Sequence, residues 1–228
     1  MYPNLLNLHG ERGSIQALIQ TGAKMGIDVE VQRIEDFDTP IDFNNFDLLI
    51  FLPGEISTLH RLIVPMQTQK LPEYIENGGF VLAIGTSGLM FGKSILREDG
   101  TVISSLGCLD MVAKERQYVW GDDLHIRINS SKQELAGSQI QMADVETSTP
   151  LATVLYGMGN NNSGNDGAVY KNLIYTNCLG PLFVKNPWFA EDILKNILIH
   201  KIGINTSTDN TIADNSFNST VSFIASKK

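Results

Sequence analysis

Cysteine is scarce in this chain: its 228 residues hold only Cys108 and Cys178. A chain this long can bury a core without a disulfide staple, so two reduced thiols and a cytoplasmic location are expected. Histidine is nearly as rare. His9, His60, His125 and His200 lie far apart, without the spacing of metal ligands, so no metal site and no cofactor are expected. Basic residues are outnumbered, with 17 Lys and Arg against 25 Asp and Glu and a formal net charge of −8. No basic stripe is available to neutralise phosphates, which excludes a general nucleic-acid binder. Long apolar runs are absent too. The stretch Leu48–Pro53 is far short of the roughly 20 residues that span a bilayer, and the first residues lack a charged-then-apolar secretory pattern.

What is present is enough for one core, since 43% of the residues are hydrophobic. Gly13 to Met25 carries apolar residues at helical spacing, with Gly26 as a stop. Ile27–Ile34 alternates apolar and polar residues, which predicts a half-buried strand. Asp47–Pro53 and Phe80–Ile84 read as strands buried on both faces of a parallel sheet. Between them Ile56–Asn77 predicts a helix interrupted near Pro65 and ended by Gly78-Gly79. Beyond Asp99-Gly100 come short β-like runs at Thr101–Ser105, Tyr118–Asn129, Leu151–Tyr156 and Leu173–Thr176, with Asn160–Gly167 as a polar loop. Pro187–Ile199 predicts the closing helix. The fold class is therefore α/β: three layers, a mainly parallel sheet with helices on both faces, and a mixed or antiparallel extension. Residues 1–203 form the domain, and residues 204–228 are expected to be a disordered polar tail.

Three segments in order carry a resemblance. They are Tyr2-Pro-Asn-Leu-Leu-Asn-Leu-His-Gly-Glu-Arg-Gly-Ser-Ile15; Asn77–Ile84 through Met90-Phe-Gly-Lys93, then Asp99-Gly-Thr101 and Leu106-Gly107; and Tyr156–Asn161, Tyr170–Leu173, Gly180-Pro-Leu182 and Lys185-Asn186. Over about residues 2–202 the chain resembles CobB/CobQ-type class I glutamine amidotransferases, in particular GatD-type subunits that work with a Mur-ligase-like, MurT-type subunit. That resemblance implies a flavodoxin-like fold whose opening strand, normally preceding the Tyr2-Pro3 segment, is missing from this sequence.

The family's chemistry uses a cysteine on a tight strand-to-helix turn, a histidine base, and backbone N–H groups that hold the oxyanion. Here the corresponding run reads Ile84-Gly-Thr-Ser-Gly-Leu-Met-Phe-Gly-Lys93, with Gly85 at the nucleophile. The histidine of an Asn-His-Gly-Gly-Arg segment maps onto Val145, and that of a Leu-His-Gly-Pro segment onto Leu179. A glutamine-holding arginine maps onto Tyr118, with Arg116 two positions away as its substitute. Gly54, in the turn after the first buried strand, and Thr86 complete the expected substrate-binding set. Gly54 also reads as a plain strand-to-helix connection, and Thr86 and Ser87 as helix caps. Ser87 is the alternative nucleophile, in a run that resembles Gly-x-Ser-x-Gly without its last glycine. No adjacent basic residue activates Cys108 or Cys178, which read as core fillers.

Three functions remain open. The first is a catalytically degenerate GatD-like subunit that partners or regulates a Mur-ligase-like, ATP-dependent amidating enzyme of peptidoglycan precursor (lipid II) metabolism. The second is an active amidotransferase with a relocated nucleophile. The third is a stand-alone module that binds a small amide or amino acid.

Overall fold

The computed structural model describes residues 1–203, Asp209 and residues 211–227. In chain order the elements are α1 (Arg12–Lys24), β1 (Leu49–Phe51), α2 (Ile56–Thr68), α3 (Leu71–Glu76), β2 (Val81–Ile84), β3 (Ser94–Leu96), β4 (Val102–Ser104) and β5 (Met111–Ile128). There follow β6 (Glu134–Thr147), β7 (Ala152–Tyr156), β8 (Asn165–Asp166), β9 (Ala168–Tyr170), β10 (Leu173–Thr176), α4 (Leu182–Lys185), α5 (Pro187–Ile202) and α6 (Thr211–Ala225).

The α/β architecture is as expected, with the β component split into two sheets. One has the order β1-β2-β10-β9, parallel except at its β9 edge. Its central strand β2 is buried throughout, which is why its sequence is continuously apolar. The antiparallel extension is a sheet in its own right, of order β4-β3-β5-β7-β8 with β6 also paired to β5. A long β5–β6 ribbon dominates it, and its register breaks between Glu115 and Trp120. Strand β6 was not visible in the sequence, because small and polar residues at Gly137, Ser138, Gln139 and Gln141 blur its alternation. Helices flank the sheets: α1 packs on α4 and α5, and α2 packs on α3 and on the turn after β2.

Four expectations need correction. Residues 27–34 form no strand in the structure, because the outer edge of β1 does not pair with them. The helical stretch breaks at Lys70, whose φ is +64°, while α2 runs through Pro65. The Asn160–Gly167 segment contains β8 and buries Asn160 and Asp166 fully. Finally, the expected tail forms α6 within its described residues. Its average composition is polar, yet Phe217, Thr220, Val221 and Ile224 recur at helical spacing on the less exposed side. Ile224 is 1% exposed. Residues 204–208, 210 and 228 of that expected tail lie outside the described residues.

Candidate functional site

Strand β2 delivers its chain into a sharp turn at Gly85, which begins a 3-10 segment running to Phe91. Gly85 has φ +61°, the left-handed conformation that strand-to-helix elbows impose and that disfavours side chains. A methyl group at position 85 would lie 3.1 Å from Leu179 Cδ2 and 3.2 Å from Pro53 Cβ. The space a nucleophilic side chain would enter is therefore lined by aliphatic carbon. Gly88, one turn on, has a different reason to be glycine. A Cβ there would lie 1.9 Å from the Tyr175 ring, so the turn packs its bare backbone against β10.

Leu179 is fixed where it stands. Its N–H donates to Ser138 O at 2.8 Å and its carbonyl accepts from Ser138 N at 3.0 Å. The next residues are held by Glu11, a fully buried carboxylate that accepts from Gly180 N, from Leu182 N at 3.0 Å and from Ser14 Oγ at 2.8 Å. These bonds give Glu11 the partners that a buried charge requires. Sequence reasoning misses Glu11, for which the available signal is an acid just before a helix, inside the Gly10-Glu-Arg-Gly13 motif.

The two hydroxyls after Gly85 are both committed. Thr86 Oγ1 donates to Gly54 O and accepts from Gly54 N at 3.1 Å. The Gly54 N–H, the candidate oxyanion donor, is thus satisfied within the protein. Ser87 Oγ is fully buried and lies 2.9 Å from Phe51 O and 3.1 Å from Ile84 O, so it donates to backbone carbonyls. No imidazole is among its hydrogen-bond partners.

Leu179, and not Val145, is the residue brought to Gly85. Val145 lies seven residues beyond Ser138 on β6, roughly 20 Å along the strand. It is buried there opposite Ala113, with its N–H donating to Asn160 O at 2.9 Å. Beside it is a second cluster. Arg116 Nη1 donates to Asp144 Oδ1 at 2.7 Å, its Nη2 donates to Tyr118 OH at 3.3 Å, and its guanidinium lies 5.1 Å from the Tyr118 ring centre. Arg116 and Tyr118 thus touch one another on the β5–β6 ribbon, while Gly54, Thr86, Gly85 and Leu179 lie together at the elbow.

Neither thiol offers a replacement nucleophile. Burial pushes the Cys178 thiol well above its ordinary range, with nearby Asp166 and Glu11 adding to the effect. Burial likewise moves Cys108 up to about 11, assisted by the charge of Glu76. Behind the elbow a buried polar network locks β10. Asp166 accepts from Thr176 Oγ1 at 2.8 Å and from Asn177 Nδ2 at 3.0 Å, and Asn177 Oδ1 accepts from Tyr175 OH at 2.8 Å. Burial holds the Asp166 carboxyl above its usual range. Among the described residues no helix is long and apolar enough to cross a membrane.

Comparison with known proteins finds relatives of the whole chain. The chain is 26% identical over 212 residues to the lipid II isoglutaminyl synthase (glutamine-hydrolyzing) subunit GatD of Streptococcus pneumoniae, covering 89% of this chain and 80% of that protein. It is 30% identical over 195 residues to the GatD subunit of Staphylococcus aureus, covering 83% and 79%. Among solved structures, a crystal structure of glutamine amidotransferase aligns at 11% identity with a TM-score of 0.48, covering 83% of this chain and 94% of that one. The model of the CobB/CobQ-like glutamine amidotransferase domain matches residues 1–186, and the chain belongs to that family.

Proposed function

We propose that this chain is a GatD-like glutamine amidotransferase subunit that has lost glutaminase chemistry and acts by binding a Mur-ligase-like partner of peptidoglycan precursor metabolism. The observation that carries the reading is Gly85. It keeps the left-handed elbow conformation while offering no atom to attack an amide, and Leu179 and Pro53 stand where a side chain would project. The self-satisfied Gly54–Thr86 pair is a further support, since an oxyanion needs free donors. In this reading Leu179, beside Gly85, stands at the position of the lost base, while Val145 and the Arg116–Tyr118 pair lie in a separate cluster on the β5–β6 ribbon. A relocated nucleophile is disfavoured, because Ser87 lacks a base and both thiols stay protonated near neutral pH.

The partner, by likeness to the GatD subunits, would be the ATP-dependent member that activates a stem-peptide carboxylate of lipid II, and a cytoplasmic location for both proteins belongs to the same reading. An inert subunit of this kind stabilises or regulates that ligase. Co-expression with a MurT-type Mur-ligase-like subunit, followed by size-exclusion chromatography, tests it. Co-elution as one complex is expected, and separate elution contradicts the proposal.

A further inference from the structure

The antiparallel sheet has two unlike faces. Ile95 of β3, Ala113 of β5 and Val145 of β6 share one register row and are all buried, so they point inward. The residues on either side of that row alternate outward, as strand geometry requires. They include Leu96 of β3, Val102 of β4 and Val112 of β5, which are 36%, 60% and 40% exposed. Leu96 and Val102 lie directly opposite one another, and Val112 lies opposite Ser94, the outward neighbour of Leu96 on β3. These apolar side chains therefore cluster on an open face beside the free edge of the sheet, since β4 is its last strand. Farther along β5, Tyr118 adds an exposed aromatic ring, held against the Arg116 guanidinium. Exposed apolar clusters with aromatic neighbours mark protein interfaces.

What covers this face can be read from its charges. Lys114 and Glu146 alternate onto the same side and are both exposed. Lys114 lies opposite Asp144, but that carboxylate is taken by Arg116 Nη1 at 2.7 Å. Glu146 lies opposite Val112, which offers it no charge. Neither Lys114 nor Glu146 has an ion-pair partner among the described residues. The face thus presents one bare charge of each sign beside an apolar cluster. A partner surface of a single sign would satisfy only one of them. A second copy of the same face satisfies both, because a two-fold axis brings Lys114 of each copy to Glu146 of the other.

We propose that the chain self-associates as a two-fold dimer through the outer face of β4, β3, β5 and β6, with Leu96, Val102 and Val112 as its apolar contacts and two reciprocal Lys114–Glu146 pairs. This dimer forms from the chain alone and does not depend on a ligase partner.

Sedimentation equilibrium of the purified full chain tests it, with a dimer expected at about 100 µM. Lys114→Glu and Glu146→Lys should each weaken association about tenfold or more, because each sets like charges together at both contacts. Mixed in equal amounts, the two variants should associate about as tightly as the parent, since every contact between them again joins opposite charges. Leu96→Ser combined with Val102→Ser should leave a monomer whose circular dichroism matches the parent's. A parent that is monomeric at that concentration, single charge swaps that dimerise as the parent does, or a mixture that stays monomeric would overturn the proposal.

Discussion

A cysteine at position 85 would face two penalties that the present glycine avoids. The left-handed φ of +61° costs a side chain about 1–2 kcal/mol, and its Cβ would press on Leu179 Cδ2 and Pro53. Gly85→Cys is therefore expected to destabilise the fold by about 1–3 kcal/mol in urea unfolding. Combining it with Leu179→Ala should recover part of that cost, giving a coupling energy above ~0.5 kcal/mol. Strict additivity would mean that Leu179 does not occupy the nucleophile's space. The thiols make a second prediction at this scale. With its pKa raised to about 11, Cys108 is protonated at pH 7, so iodoacetamide should label the native protein slowly there and faster as pH rises toward 11. Cys178, fully buried, should react only on unfolding. Rapid labelling of either residue at pH 7 would reopen thiol chemistry. Gly85 and Leu179 could be picked out in the sequence because each sits inside a short motif with fixed neighbours, and the structure brings the two together. Val145, the other position matched to a histidine, lies away from Gly85, since motif spacing carries no register on a ribbon whose strands slip between Glu115 and Trp120. The closure of Gly54 by Thr86 was invisible, because it depends on two residues 32 positions apart meeting at the ends of β1 and β2.

Elements were legible where local pattern and tertiary setting agree. Helix α1 ends before Gly26 as its glycine signals, β2 lies where a continuous apolar run puts it, and β10 coincides with the short β-like run Leu173–Thr176. Residues 27–34 have the right period but no partner, and a strand exists only in a ladder. Helix α6 is the converse. Its Asn- and Ser-rich composition argues for disorder, but its sparse apolar stripe finds a surface, and contacts to α4, β5 and β6 order it. Ile224 is the anchor of that contact, and Lys227 Nζ lies 2.5 Å from Asp123 Oδ2 nearby. Ile224→Ala is expected to cost about 2 kcal/mol if α6 unfolds with the domain, and to accelerate amide exchange through residues 214–225. A loss below ~0.5 kcal/mol with unchanged exchange would show that α6 does not depend on this anchor. The Asp166 network makes a comparable claim for β10. Asp166→Ala strands the donors of Thr176 and Asn177, and should cost about 2–4 kcal/mol in urea unfolding. A near-neutral result would mean that water replaces the carboxylate.

At the scale of the whole molecule, the chain carries a CobB/CobQ-like glutamine amidotransferase domain, and Leu179 and Pro53 are the side chains nearest the elbow at Gly85. Glu11 ties α1 to the Leu179–Leu182 segment, Ser138 pins Leu179 from the β5–β6 ribbon, and Thr86 ties the elbow to the end of β1. Leu179 itself is held by Ser138 and its neighbours Gly180 and Leu182 by Glu11, so moving this segment would require breaking buried hydrogen bonds in two places. Family membership was readable from ordered motifs because they fall where strands meet turns, which the fold fixes tightly. The partner is not written there, since a docking surface has no comparable local signature. The most direct measurement is glutamate release from glutamine by the purified full chain, alone and together with a MurT-type subunit. No release above a glutamine-only control is predicted in either case; glutamate produced by the unaltered chain, abolished by Ser87→Ala or by blocking either cysteine, would contradict the loss of glutaminase chemistry.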